Sequence, residues 1–335
     1  MSTPSREIPP PPDGAPLVLV AGGETDPNLH LLLRRLSERG IRSFAIQVGP
    51  GSHPAVTWDL QRDTLVVDGL EIRPTGAFIR YDVFAWKQDK KAETAKRADA
   101  WFAAVMGWLK AHGVRRPNAR MLDANKLHAL YVARQVGLEV PETLLTNDVR
   151  MLRSLAAERA LVFKPVQGGE YCREIDEMFV REREAGPMLP PAIVQPRLEQ
   201  PEVRIYKIGG RFLAFSMVSD LLDYRAEPTC DVVPLPLEQV PPELLDGLGK
   251  LMDRFDMDFG AADFKTDPAT GRLLFLEINN SPMFAMFDRV GGGAVSDAMI
   301  DLLIGWDSGR RTEAVRIRAA SGGCVECGKT AGIGA

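Results

Sequence analysis

The sequence predicts an α/β (α+β) chain in which an N-terminal α/β domain precedes a larger mixed domain. Strand, helix and strand patterns follow one another between Leu17 and Val48, the order that builds a small parallel sheet. From Glu142 to Asn279 strand-like runs alternate with loops and two helical stretches, and the last two runs flank a turn as an antiparallel pair. At 335 residues the chain also exceeds what one hydrophobic core usually serves, so two or three packed units are expected.

Residues 1–16 are rich in Pro and Ser and should form a disordered arm. LVLVAGG then reads as a buried strand. Asn28 to Arg39, with Leu at 29, 31, 32, 33 and 36, reads as a helix closed by Gly40, and Arg42 to Val48 as a second strand. TLVVDGLEIRP folds about an Asp68-Gly69 turn, because Asp-Gly tolerates the positive backbone angles of a tight hairpin. The strand AFIRYDVF is followed by a helix from Lys91 to His112, whose Ala98, Trp101, Phe102, Val105, Met106 and Leu109 recur at helical spacing.

The first domain, 17–117, should end near Arg115 to Asn118, leaving 118–308 as the second and 309–335 as a Gly-rich flexible tail. A helix from Ala124 to Gln135 opens the second domain. The strand ETLLTN, a helix from Asp148 to Glu158 capped by its Asp, and the strand LVFKP with the turn VQGGE come next. AIVQPRL and VRIYKIGGRFLAFSMV continue the strands, the latter turning at Gly209-Gly210. Pro242 to Phe255 is an amphipathic helix, and FGAADFKT and RLLFLEINN flank the turn DPATG as an antiparallel pair.

Composition narrows the function. Apolar residues make up 45 % and charged residues 26 % of the chain, with 41 Lys plus Arg against 45 Asp plus Glu. No basic excess exists to neutralise a nucleic-acid backbone. No apolar run reaches the roughly 20 residues of a membrane span, so a cytoplasmic location without membrane contact is expected. The four cysteines, Cys172, Cys230, Cys324 and Cys327, are too scattered for a disulfide framework, and Cys324-Val325-Glu326-Cys327 lacks the second ligand pair of a zinc site.

Chemistry concentrates in ADFKTDPATGRLLFLEINN. Strand alternation puts Leu273, Phe275, Glu277 and Asn279 on one face and Leu274, Leu276 and Ile278 on an apolar core face. A symmetrical DPATG hairpin would set Asp263 opposite Phe275 and diagonal to Glu277. The oxygens of Asp263, Glu277 and Asn279 are then hard donors suited to Mg²⁺, or to Mn²⁺ in its place, although an ordinary hairpin with solvated carboxylates fits the same pattern. Lys164 followed by Gln167-Gly168-Gly169 is a workable triphosphate clamp, or else a plain strand end. Glu202, Arg204 and Tyr206 share a strand face where an acid suits ribose hydroxyls and Arg204 suits phosphate or carboxylate, or which is merely a solvated edge. Arg80, ending a strand of the first domain, could meet substrate or make a salt bridge.

Taken in order, Lys126 in DANKLHAL, Lys164 in VFKPVQGG, Gln195 to Glu199 in QPRLE, Arg204 in EVRIYKIGG, Asp263 in AADFK, and Glu277 with Asn279 in LEINNSP resemble the ATP-grasp superfamily. RimK-type ligases and the ligases that modify ribosomal peptides (graspetide-like) are the most similar kind. The resemblance covers roughly Met121 to Leu303 and implies a two-subdomain ATP-grasp fold with its nucleotide cleft between 118–200 and 201–308. It also implies an ADP-forming carboxylate-amine ligase that uses ATP and Mg²⁺. Lys126 and Lys164 would contact phosphates under the loop Gln167, Gly168 and Gly169. The backbone of Gln195, Arg197 and Leu198 would hold adenine, and Glu199 or Glu202 the ribose. Asp263, Glu277 and Asn279 would hold Mg²⁺, while Arg204 and Arg225 would act at the acyl phosphate. Partners would be ATP with a carboxylate and an amine, from small molecules or a peptide, in a monomer or homo-oligomer. The alternatives are an ATP-grasp kinase, or a nucleotide-binding scaffold without chemistry. Pro196 departs from the pattern by removing one hinge amide.

Overall fold

The computed structural model describes residues 15–49, 51–80, 92–166, 172–185, 190–219 and 231–305. The N-terminal part runs β1 (Leu17–Gly23), α1 (Pro27–Glu38), β2 (Arg42–Val48), β3 (Val56–Asp59), β4 (Thr64–Val67), β5 (Leu70–Glu71), β6 (Gly76–Arg80) and α2 (Ala92–Ala111). The middle comprises α3 (Lys126–Gln135), β7 (Leu144–Thr146), α4 (Val149–Glu158), β8 (Leu161–Pro165), β9 (Arg173–Glu174), α5 (Glu177–Ala185) and β10 (Ala192–Pro196). The chain continues through β11 (Glu199–Ile208), β12 (Arg211–Val218), β13 (Asp231–Leu235), α6 (Pro242–Arg254), β14 (Phe259–Thr266), β15 (Leu273–Asn279), α7 (Ala285–Val290) and α8 (Ala294–Ile304).

Local chemistry explains the boundaries. Asp26, Asn125 and Asp148 cap α1, α3 and α4 by accepting first-turn amides, which would otherwise lack partners. Asp68 and Gly69 take positive φ values of 49° and 78° in the turn from β4 to β5, as a tight hairpin requires.

The first sheet is parallel, in the order β2-β1-β6, as the strand-helix-strand pattern predicts. A second sheet, β7-β10-β8-β9, and a third, β13-β12-β11-β14-β15, are antiparallel and supply most of the predicted site.

The five-stranded sheet is packed on both faces. Val203, Ile205, Ala262, Phe264 and Phe275 lie under α3 and α6, meeting Leu130, Leu248 and Leu251. On the other face Tyr206, Phe259 and Ala261 share a core with Val295 and Met299 of α8 and with Val18, Val20, Leu29, Leu32 and Phe78 of the N-terminal part. The N-terminal part and the large sheet thus share one apolar interior. Trp108 is buried in a separate core with Leu19, Ile46 and Leu109, to which Trp101 adds a partly buried face. Among the described residues, no helix is long and apolar enough to cross a membrane.

Candidate functional site

Beyond Tyr206 and Ala261, the second face of the large sheet turns from apolar to charged. On β11, Arg204 and Glu202 follow Tyr206 at strand spacing and stand beside Asp263 and Lys265 of β14. Arg204 forks onto Asp263, with Nε donating to Oδ1 at 2.7 Å and an Nη to Oδ2 at 2.8 Å. Both side chains are 7 % exposed, so this is a desolvated, bidentate pair. The Arg204 guanidinium also lies 5.1 Å from the ring centre of Phe287 on α7, a cation-π contact that limits its rotation.

The hairpin register departs from the symmetrical one expected. A β-bulge lies beside Asp263, which pairs directly with Glu277, while Phe264 pairs with Phe275. Two residues, Leu276 and Glu277, therefore oppose Asp263, and alternation breaks between Phe275 and Glu277. Leu273, Phe275 and Ile278 belong with the core under α3 and α6, where Phe275 meets Phe264 at 5.7 Å between ring centres. The expectation that Phe275 shares a face with Glu277 is therefore corrected. Glu277 still reaches the charged face, now straight across from Asp263 rather than diagonal to it.

Lys126 opens α3 and places its Nζ 3.1 Å from Glu277 Oε2. Lys265 Nζ sits 3.2 Å from Glu202 Oε2, with both side chains nearly buried. Burial pulls the Lys164 ammonium below the ordinary lysine range, and Cys172, Glu277, Lys265 and Glu202 are the charges that act on it next. Burial, then the neighbouring Asp263, pushes the Glu202 carboxyl up. Three cations, Lys126, Arg204 and Lys265, thus pair with three carboxylates, Glu277, Asp263 and Glu202, and Lys164 feels the charges of Glu277, Lys265 and Glu202.

Lys265 was not singled out from the sequence. Its position two residues after Asp263, on the same strand face, is the signal that would have found it. Asn279 is exposed at the end of β15, and its Oδ1 accepts the Ser281 amide at 3.0 Å. Among the described residues no three His, Cys, Asp or Glu side chains cluster as a metal cage. A pair of opposed carboxylates with a nearby amide oxygen nonetheless fits Mg²⁺, which takes one or two carboxylates and completes its shell with phosphates and water.

The strand end at Gln195 to Glu199 is arranged differently from a row of free donors. The Gln195 side chain is buried and donates to Thr143 Oγ1 at 3.0 Å. Pro196 has no N–H, the Arg197 amide donates to Ala160 O at 3.0 Å, and the Arg197 guanidinium pairs with Glu174 at 2.6 Å. Leu198 is buried and Glu199 exposed. Gln167, Gly168, Gly169, Arg225, Cys230, Cys324 and Cys327 lie outside the described residues. Cys172 forms no disulfide. Arg80 makes a salt bridge, with its Nε 2.7 Å from Asp26 Oδ2.

No protein-family model and no curated protein matches the sequence. Solved structures do. The ATP-grasp ligase PsnB, complexed with minimal precursor, Mg and ADP, matches with a TM-score of 0.63 and 23% identity over 85% of this chain and 98% of that one. The macrocyclase MdnC from Microcystis aeruginosa, bound with precursor peptide MdnA, gives 0.66 and 18% over 86% and 99%. The VanG D-Ala:D-Ser ligase from Enterococcus faecalis gives 0.56 and 14% over 87% and 99%. Nearly the whole length of each of these proteins is matched by the sheets and helices described above, and the chain has the ATP-grasp fold.

Proposed function

We propose that the chain is an ATP- and Mg²⁺-dependent ligase that joins a carboxylate to an amine through an acyl phosphate, with a peptide as the carboxylate substrate. The observation that carries this reading is the direct opposition of Asp263 and Glu277 on a sheet face shared with Arg204 and Lys265, to which Lys126 reaches from α3. Phosphoryl transfer needs this combination, because its chemistry is chiefly the positioning and neutralising of spread negative charge. The likeness to PsnB and MdnC, which were solved with precursor peptides, supports the peptide substrate.

In this reading Asp263, Glu277 and Asn279 hold Mg²⁺, which supplies neutralising charge to the nucleotide phosphates. Lys126 and Lys164 bind phosphate oxygens, with Gln167, Gly168 and Gly169 as further nucleotide contacts. The Leu198 amide, with Gln195 and Arg197 shaping the strand end, takes adenine, and Glu199 reaches the ribose more readily than the lysine-paired Glu202. A substrate carboxylate oxygen attacks the γ-phosphorus, the bond to the ADP oxygen breaks, and Arg204 stabilises the resulting acyl phosphate together with Arg225. The amine then attacks the acyl carbon, phosphate leaves, and the amine proton passes to solvent. We assign 17–117 to an N-terminal unit and 118–308 to the nucleotide-binding unit, with the cleft between 118–200 and 201–308.

The test is product stoichiometry with candidate acidic peptides. ADP and free phosphate should appear one for one, and hydroxylamine should convert the acyl phosphate to a hydroxamate. A phosphorylated product without free phosphate or hydroxamate would replace the ligase with a kinase.

A further inference from the structure

The segment Asn280 to Ala285, which follows the strand carrying Glu277 and Asn279, forms no strand of its own. Its backbone is instead held by side chains from distant parts of the chain. Asn118 Nδ2 donates to the Asn280 carbonyl at 2.9 Å. One Nη of Arg80 donates to the carbonyls of Ser281 at 3.0 Å and Pro282 at 2.9 Å. The Tyr206 hydroxyl donates to the Met283 carbonyl at 2.6 Å. Asn28 Oδ1 accepts the amides of Phe284 at 2.7 Å and Ala285 at 2.8 Å. Six consecutive residues are therefore gripped.

The grip is itself braced. Asn28 and Asp26 are 0 % exposed and Arg80 2 %. Asp26 Oδ1 accepts the Asn28 side-chain amide at 2.6 Å, which orients the other end of that amide toward Phe284 and Ala285, while Asp26 Oδ2 pairs with Arg80. These groups lie where β1 and β6 end and α1 begins, the carboxyl edge of a parallel sheet that open α/β folds commonly use for ligands. Here that edge receives the chain's own backbone. Such buried polar residues cost desolvation unless fully paired, so their placement on a loop beside two candidate metal ligands calls for a function.

We infer that Asn28, Arg80 and Asn118 are positioning residues that fix the end of β15 and thereby aim Glu277 and Asn279 at the metal. The inference rests on the metal reading proposed above. Partners that orient metal ligands typically change metal affinity by about 10 to 100-fold when lost. The test uses the full chain with Mn²⁺ and a non-hydrolysable ATP analogue, following free Mn²⁺ by electron paramagnetic resonance.

In Arg80→Lys, which keeps the cation beside Asp26, and in Asn28→Ala, the half-saturating Mn²⁺ should rise by about ten-fold. Analogue affinity in excess chelator should stay within about two-fold, and amide exchange at Phe284 and Ala285 should quicken in Asn28→Ala. Should Asn28→Ala not fold, Arg80→Lys carries the metal measurement. Unchanged Mn²⁺ affinity in folded variants overturns the inference, even where exchange at Phe284 and Ala285 has quickened. A wild-type protein that binds no Mn²⁺ with the analogue overturns it in a distinguishable way, by removing the metal reading itself.

Discussion

The two antiparallel sheets bring opposite kinds of order to the charged site. The five-stranded sheet is covered by α3 and α6 on one face and by α7, α8 and the N-terminal part on the other, so Arg204 and Asp263 are locked together in a nearly dry place. The four-stranded sheet packs α4 and α5 against Leu161, Phe163 and Val194, while Lys164, next along β8 from Phe163, points away from that core. One sheet supplies paired charges whose geometry is fixed by burial. The other supplies a cation held in an unfavourable environment, ready to gain from an incoming anion.

The sharpest way to break this contrast is Asp263→Ala. It should destabilise the protein by about 3 to 5 kcal/mol in denaturant titrations, because the buried Arg204 would lose its bidentate partner. A loss below 1 kcal/mol would mean that water reaches the pair. Lys164→Met should behave in the opposite way, with stability unchanged or raised while ATP affinity falls by about 10 to 100-fold, a charge-assisted phosphate contact being lost. The sign with pH follows from the lowered folded-state value. The charged lysine destabilises the native state below that value, and the penalty fades as pH rises toward the unfolded value of 10.5. Any stability advantage of Lys164→Met should therefore be full below the lowered folded value and shrink as pH rises toward 10.5.

A smaller effect is expected where α8 meets α1. There Asp297 accepts from Arg35 at 2.6 and 2.9 Å and from Arg39, and Arg35 holds its carboxyl below the usual range. Asp297→Asn should cost up to about 1 kcal/mol at neutral pH, as expected for a partly exposed pair. The difference from wild type should be full above the ordinary value of 3.8 and vanish as pH falls through the lower folded value. Least of all should follow from Arg153→Ala on the four-stranded side, whose partner Glu184 is well exposed. A change beyond about 0.5 kcal/mol in thermal unfolding would show that this surface pair is less solvated than its exposure indicates.

Elements governed by local chemistry were legible in the sequence. Asp148 announced its helix, Asp68-Gly69 its hairpin, and the Leu17 to Val48 alternation its parallel sheet. Arg204, Asp263 and Glu277 were legible as one set through their resemblance to the ATP-grasp superfamily, whereas strand parity alone misplaced Phe275 on the face of Glu277. The bulge at Leu276 was not, since it is imposed by Phe275 turning under α3 and α6, a demand made from outside the hairpin. Nor was the grip of Asn28 and Arg80 on Ser281 to Ala285, whose partners are separated by 201 to 257 positions and follow no local pattern. The hinge was only half legible: Pro196 was visible as a missing donor, but the use of the Arg197 amide by Ala160 depends on how β10 leaves the sheet.

The interior shared by β1, α1, β6 and the large sheet has a consequence for how this gene can be recombined. A fragment starting at residue 118 would keep every candidate nucleotide and metal residue, yet it would bare Tyr206, Phe259, Phe284, Val295 and Met299 to water. So large an apolar patch is an aggregation hazard rather than a binding surface. Exchanging the N-terminal segment for that of a relative would succeed only if Val18, Val20, Leu29, Leu32 and Phe78 travelled with their complements across the seam. Crossover points that respect substrate specificity but cut between residues 80 and 118 would therefore yield insoluble chimeras, whereas replacing the seam residues as a set would preserve solubility.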